Sequence, residues 1–228
     1  MLLLGVPGCG KSLCAKAVAT EWGLPLLKLD TSKLYNKYIG ETEKNFKRAM
    51  TTAEKMSPLV LWIDEIEKAF SAAGGDSEDG GVSRRVFGTF LSWLQDREGD
   101  VFIVATANDV TKLPPEFLRK GRFDEIFFVD LPDPEARAAI FGIHLEKRGK
   151  NPHDFDIPGL VSSTEGLSGS EIEQIIVVGL YTAFTAEGDL DTETLMEEIS
   201  NTSPLSQTMA EKITVLRNWA EDRTVCAN

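Results

Sequence analysis

The sequence reads GVPGCGKS from Gly5 to Ser12, and these eight residues fill every fixed position of the phosphate-binding loop pattern GxxxxGK[ST]. The glycines let successive backbone N–H groups turn toward a phosphate, which Lys11 can reach, and the Ser12 hydroxyl can bind Mg²⁺. A plain glycine turn between a strand and a helix is the alternative. The stretch predicts a nucleoside triphosphate site. Its predicted nucleotide ligands are Pro7, Gly8, Cys9, Gly10, Lys11, Ser12 and Leu13.

Around this loop, apolar runs alternate with helical patterns as far as Leu131. The run at residues 59–63 is apolar throughout, which is typical of a strand buried on both faces of a parallel sheet. We predict an α/β fold with a three-layer parallel sheet. Because the chain starts inside its first strand, we expect a sheet that is incomplete at its N-terminus and a truncated chain. The predicted strands are 1–4, 24–30, 59–63, 101–105 and 126–131, and the predicted helices are 11–22, 41–56 and one carrying Arg84 to Leu94.

Pro132-Asp133-Pro134 interrupts this alternation, and only helical patterns follow it. Ser168 and Glu171 have the spacing of a capping box at the start of one helix. We therefore predict two domains, an α/β domain at residues 1–132 and a small helical domain at 133–228. The predicted helices are 134–148, 157–164, 168–186, 192–200 and 206–222.

The composition narrows the possible partners. A net charge of −12 and a pI near 4.7 argue against a surface that neutralises nucleic-acid phosphates, so nucleic acid is not expected as a partner. No apolar run approaches the roughly 18 residues that span a bilayer, so no membrane partner is expected either. Three cysteines at irregular spacing indicate a reducing compartment rather than a disulfide framework.

Two further segments carry candidate chemistry at strand ends. Asp64 and Glu65 follow the buried run at 59–63, where an aspartate can bind Mg²⁺ and a glutamate can deprotonate a water for attack on the γ phosphate. Asn108 follows the run at 101–105 and can contact both the water and the phosphate. A solvated acidic turn and a turn-forming asparagine are the alternatives. Together with the phosphate loop, these residues predict Mg²⁺-dependent hydrolysis of a nucleoside triphosphate.

The four segments GVPGCGKS, LWIDEIEKAF, VATAN and LRKGRFDEIFFVDLPD follow one another as in AAA+ ATPases, whose fold is that of the P-loop NTPases with a helical lid. The chain resembles the clade that contains protein-remodelling members, and more narrowly the conserved chloroplast-reading-frame AAA family of bacteria, cyanobacteria and algal plastids. That resemblance implies a bacterial cytoplasm or a plastid stroma. It also implies an oligomer, usually a hexamer, in which Arg119 and Arg122 serve as arginine fingers for the neighbouring subunit.

The resemblance implies roles for three more segments. Tyr38-Ile39-Gly40 matches the pore loop that grips a polypeptide, although loop aromatics also pack onto their own domain. His144 matches a histidine that contacts the nucleotide, and its alternative is a structural role within its helix. Gly169-Ser170 matches the small-residue segment that this clade places at the nucleotide. The glycine-rich acidic stretch at 71–81 lies where a second pore loop or a linker would lie.

From these observations the sequence predicts an ATP-binding and ATP-hydrolysing module that remodels or unfolds a protein client in a ring. A nucleotide-dependent switch with slow or no turnover is the alternative. A nucleic-acid motor is disfavoured by the charge of −12.

Overall fold

The computed structural model describes residues 1–29, 41–70, 80–119 and 122–227. Its strands form one six-stranded sheet in the order β2-β3-β4-β1-β5-β6. The pairs β1–β4, β2–β3, β3–β4 and β5–β6 are all parallel. The predicted α/β class is confirmed. The strands are β1 Leu2–Gly5, β2 Leu26–Leu29, β3 Leu59–Ile63, β4 Val101–Ala107, β5 Ile126–Val129 and β6 Val225–Cys226.

The central strands are apolar because helices cover both faces of the sheet. All five residues of β3 are buried, as are the apolar residues of β1. Phe46 and Phe90 pack edge to face, with ring centroids 5.6 Å apart, and join two of the covering helices. These helices are α1 Lys11–Glu21, α2 Glu41–Lys55, α3 Ile66–Phe70 and α4 Gly80–Asp96.

The helical part has its own apolar core, and aspartate or serine caps start several of its helices. Ser168 and Glu171 form the complete capping box that the sequence indicates. The core residues include Phe141, Leu145, Leu160, Ile172, Ile176 and Leu195. The helices are α5 Pro134–Glu146, α6 Ile157–Ser163, α7 Gly169–Thr185, α8 Thr192–Ser200, α9 Leu205–Thr208 and α10 Ala210–Ala220.

By its contacts the chain separates into two compact units. The first unit contains Met1–Gly5, Lys11–Phe128 and Ala220–Ala227, and the second contains Val6–Gly10 and Val129–Trp219. The five central residues of the glycine loop therefore belong, by their contacts, with the helical part. The predicted division after residue 132 stays a prediction.

Three local features differ from the predicted elements. A two-residue strand, β6, follows the last helix, where the sequence predicts no strand, because its pairing with Phe127 and Phe128 is a tertiary interaction that two residues cannot encode. The helix predicted at 206–222 is two helices, since Met209 has φ −122° and ψ 23° and so leaves the helical conformation. The five-residue helix α3 directly after the acidic pair is also additional.

Candidate functional site

Within the second unit, the glycine-loop residues Val6–Gly10 lie against the N-terminus of α7. The backbone N–H of Ser170 donates to the carbonyl of Gly8 at 3.0 Å. Gly8 has φ +77°, and a Cβ there would lie 2.1 Å from the Ser170 hydroxyl oxygen. A side chain at Gly8 would thus be both strained and blocked. The structure brings Gly8, Gly169 and Ser170 together, and their nucleotide role stays a prediction.

In the first unit, Lys11 opens α1 with a buried side chain. Its ammonium donates to the carbonyl of Gly5 at 2.9 Å, which compensates part of the cost of burying a charge. The next residue, Ser12, donates its hydroxyl to Oδ1 of Asp64 at 3.0 Å. The Lys11 contact thus joins the start of α1 to the end of β1, and the Ser12 contact joins it to the residue directly after β3.

Asp64 is the centre of a polar cluster. Its Oδ1 accepts hydrogen bonds from Ser12 at 3.0 Å and from the Thr106 hydroxyl at 2.7 Å, and the Lys28 ammonium lies 3.4 Å from Oδ2. Burial alone would raise the pKa of Asp64, but the hydrogen bonds from Thr106, Ser12 and Lys28 outweigh it and hold the pKa below its usual value. Asp64 is therefore ionised at neutral pH.

The oxygen atoms of this cluster fit a Mg²⁺ ion. Asp64 offers a carboxylate and Ser12 a hydroxyl, and Mg²⁺ in nucleotide sites takes one or two protein oxygens together with phosphates and water. Across the described ranges, no group of three or more His, Cys, Asp or Glu side chains could form a protein-only metal site.

Glu65 adopts a left-handed backbone conformation, with φ 49°, immediately after β3. Non-glycine residues rarely adopt it, and such residues concentrate at functional sites. The backbone N–H of Glu65 donates to the Thr106 hydroxyl at 3.0 Å, which secures the turn. The side-chain amide of Asn108 donates to Oε1 of Glu65 at 3.1 Å, and Lys68 pairs with Oε2. The structure thus brings Asp64 and Glu65 together through Thr106, and Asn108 joins them through the Glu65 carboxylate.

Glu67 is a buried carboxyl beside this cluster. Its Oε1 accepts from the backbone N–H of Asn108 at 3.0 Å, whereas Oε2 is buried and has no hydrogen-bond partner among the described residues. Burial, which disfavours the charged form, raises the pKa of Glu67.

The sequence reasoning missed Thr106, Glu67 and Lys28. Thr106 carried a usable signal, because it is a buried hydroxyl near the end of an otherwise apolar strand. A buried polar group needs a partner, and the neighbouring strand β3 ends in the acidic pair. Lys28 lies opposite Trp62 on the paired strand, with its ammonium 4.0 Å from a ring centroid of Trp62.

Replacement of Thr106 by valine is expected to lower the free energy of unfolding by about 2 kcal/mol, because it removes a donor to Asp64 and leaves the Glu65 N–H unpaired. Urea denaturation at pH 7 measures the change. The control is Thr52→Val, since the Thr52 hydroxyl donates only to the Arg48 carbonyl on an exposed helix face. That control is expected to stay within about 0.5 kcal/mol of the parent. Equal effects of the two substitutions would contradict a bridging role for Thr106.

Among the described residues, no hydrogen bond or ion pair joins either predicted arginine finger to the Asp64 cluster. Arg119 is exposed, and Arg122 has a buried Nη1 without a hydrogen-bond partner in the described part of the chain. Buried Phe117 and Phe123, whose ring centroids are 6.0 Å apart, anchor the segment on both sides. Buried aromatic residues therefore flank the two arginines in sequence.

His144 lies on α5 in the second unit, beside two charged residues. Its Nδ1 is 3.2 Å from Oε1 of Glu173 and 3.2 Å from a guanidinium nitrogen of Arg148. Burial lowers the pKa of His144, against the opposing effect of Glu173. Its nucleotide role stays a prediction. Tyr38, Ile39 and Gly40 lie outside the described residues, as does most of the acidic stretch at 71–81.

Comparison with known proteins gives the relatives of this chain. A sequence model of the ATPase family associated with various cellular activities (AAA) matches residues 1–131. The AAA domain-containing protein ycf46 of Pyropia yezoensis is 47% identical over 223 residues, covering 97% of this chain and 45% of that protein. Its counterpart in Guillardia theta is 44% identical, over 96% of this chain and 44% of that protein. The proteasome-activating nucleotidase of Methanosarcina mazei is 33% identical, over 91% of this chain and 50% of that protein.

The chain therefore spans less than half the length of the ycf46 relatives that it matches. The resemblance read from the four sequence segments is confirmed. None of the helices that the structure describes is long and apolar enough to cross a membrane.

Proposed function

This chain belongs to the AAA family of ATPases, and from that premise we propose that it binds ATP with Mg²⁺ and hydrolyses it within a ring that acts on a protein client. The observation that carries the proposal is the cluster of Ser12, Asp64, Glu65, Thr106 and Asn108. A purely structural acidic turn has no need of an ionised aspartate bonded to the phosphate-loop serine.

The phosphate loop and the residues beside it would bind Mg·ATP. The loop from Gly5 to Ser12 would surround the β and γ phosphates, with Lys11 contributing a positive charge. Ser12 and Asp64 would hold the Mg²⁺ ion, which supplies charge neutralisation at the phosphate oxygens. Ser170 would fix the glycine loop through Gly8. His144 stays a candidate nucleotide contact on the strength of the resemblance.

The hydrolytic role falls to Glu65. Its carboxylate would accept a proton from the attacking water, while Asn108, through its side-chain amide, would orient both Glu65 and the γ phosphate. Lys68 pairs with the other carboxylate oxygen at the surface, where such pairs are weak and exchange readily. The Glu65 carboxylate can therefore separate from Lys68 without the loss of a buried contact.

Arg119 and Arg122 would complete the site of a neighbouring copy. A guanidinium stays charged and makes forked contacts with phosphate oxygens. The unpartnered Nη1 of Arg122, within the described part of the chain, supports an external partner for this side chain. Fingers that act between subunits require an oligomer, and a ring of six is the arrangement we propose.

The trans arrangement predicts that two inactive variants restore activity when mixed. Glu65→Gln removes the base, and the double variant Arg119→Ala/Arg122→Ala removes the fingers, so each variant alone lacks every complete site. In random mixed oligomers, about a quarter of the sites pair an intact base with intact fingers. Phosphate release by an equimolar mixture is expected to reach about that share of the parent rate. A mixture no more active than the sum of its components would contradict fingers acting in trans.

The client role is the finer part of the proposal. Tyr38-Ile39-Gly40 is the candidate grip on a polypeptide, and the similarity to a proteasome-activating nucleotidase supports a protein client. The alternative is a slow nucleotide-dependent switch, in which the backbone hydrogen bond from Ser170 to the Gly8 carbonyl would depend on the nucleotide state. A Tyr38→Ala variant that keeps its full cellular function would favour the switch.

A further inference from the structure

Glu67 is a carboxyl that the proposed mechanism does not use. Its side chain lies in the first turn of α3, two residues after the proposed base, and the residue is 3% exposed. Its Oε1 accepts from the backbone N–H of Asn108 at 3.0 Å, and its Oε2 is buried without a hydrogen-bond partner among the described residues. Because burying a carboxyl is costly, an apolar residue would be expected here if the position only filled space.

We propose that Glu67 is a positioning residue for hydrolysis, which fixes the backbone of Asn108 so that the Asn108 side-chain amide reaches Glu65. This inference rests on the proposed ATPase function, in which Glu65 is the base and Asn108 its orienting partner.

The geometry supports this role in two linked steps. The Asn108 backbone N–H lies just beyond the end of β4 at Ala107, and Glu67 supplies its acceptor. The Asn108 side-chain amide then donates to Oε1 of Glu65 at 3.1 Å. Asn108 is therefore held at its backbone by one glutamate and holds the other glutamate through its side chain.

The position of Glu67 follows from the turn after β3. Glu65 has its left-handed conformation, and α3 begins at the next residue, Ile66, which is fully buried. The turn thereby places Glu65 beside the Asn108 amide and Glu67 beside the Asn108 backbone. A shift of about 1 Å in a positioned group can lower a rate by about 100-fold, so losing this anchor should affect turnover more than ATP binding.

The role requires an acceptor at Oε1 and makes no use of Oε2. Glutamine keeps the acceptor at nearly the same volume, whereas leucine keeps the approximate volume and removes the acceptor. The pair Glu67→Gln and Glu67→Leu therefore separates positioning from packing. Val86→Ala, a buried apolar change on α4, is the control for loss of stability alone.

The first measurement is ATP turnover by the full 228-residue chain. Glu67→Leu is expected to lower kcat by about 10- to 100-fold with the KM for ATP within about threefold of the parent. Glu67→Gln should retain at least about a third of the parent kcat, and Val86→Ala should keep kcat at a temperature where it is folded. A Glu67→Leu variant with parental kcat, or a Val86→Ala variant with an equal loss of kcat, would overturn the inference.

The second measurement needs no turnover. Hydrogen exchange at the Asn108 amide, followed by NMR of ¹⁵N-asparagine-labelled chain without nucleotide, should be slow in the parent and in Glu67→Gln, and at least about tenfold faster in Glu67→Leu. If Glu67→Leu does not fold, the exchange rates of the Asn108 amide in the parent and in Glu67→Gln still test whether residue 67 anchors Asn108. An unprotected Asn108 amide in the parent, or its loss of protection in Glu67→Gln, overturns the inference.

Different results would overturn the hydrolytic role of Glu65 and the positioning role of Glu67. A Glu65→Gln variant with parental turnover would overturn the proposed hydrolytic role, while the exchange rate at Asn108 would still decide whether Glu67 anchors that residue. Loss of turnover in Glu65→Gln, with parental kcat in Glu67→Leu, would overturn only the positioning role.

Discussion

Replacement of Glu65 by glutamine is expected to lower kcat for ATP hydrolysis by about 100- to 10,000-fold, the range for loss of a general base. Binding of ATP should change by less than about threefold, because the variant keeps the size of the side chain. Glutamine also keeps a carbonyl oxygen that can accept from the Asn108 amide, as Oε1 of Glu65 does at 3.1 Å. The variant therefore removes the proton acceptor and leaves the rest of the site in place.

Phosphate release measures the expected loss of kcat, and the affinity for Mg·ATP measures the change in binding. Glu98→Gln is the matched control, because it makes the same chemical change away from the site. Glu98 is an exposed residue beyond the end of α4. It is expected to hydrolyse ATP at the parent rate. If Glu65→Gln and Glu98→Gln turned over equally fast, Glu65 would not be the base.

Replacement of Lys11 by alanine is expected to weaken ATP binding by about 100-fold, since it removes a charge-assisted contact with the phosphates. The ammonium is buried beside the Gly5 carbonyl, 2.9 Å away, so the loop already holds the charge where a phosphate would bind. Titration calorimetry with Mg·ATP measures the change in Kd.

Lys16→Ala controls for the loss of a lysine from the same helix. Lys16 is exposed one turn further along α1, with its ammonium 5.7 Å from a ring centroid of Trp62. It is expected to keep the parent Kd. Equal affinities of Lys11→Ala and Lys16→Ala for Mg·ATP would show that Lys11 does not bind the nucleotide.

Much of the fold could be predicted because its signals are local. The strand predicted at 59–63 is β3 residue for residue, since a continuous apolar run followed by two acids is a strong pattern for a buried parallel strand. The helix α8 also begins and ends as predicted, at Thr192 and Ser200. The strand β6 was not predicted, because its two residues gain their conformation from pairing with β5.

The site was predictable only in part, for a related reason. Asp64, Glu65 and Asn108 stand at strand ends, which the sequence marks. The hydroxyl of Thr106, however, reaches Asp64 across 42 positions of sequence, and Glu67 reaches Asn108 across 41. Such contacts depend on which strands are neighbours in the sheet and on the left-handed turn at Glu65. Neither can be read from the spacing of residues along the chain.

The identity of the nucleotide that stays bound after incubation with Mg·ATP directly tests whether this chain binds ATP and hydrolyses it through Glu65. The parent chain and Glu65→Gln are incubated with ATP and Mg²⁺, separated from free nucleotide, denatured and analysed by chromatography. If Glu65 is the base, the parent retains ADP and Glu65→Gln retains ATP. ADP on Glu65→Gln, or no retained nucleotide on either protein, would contradict it.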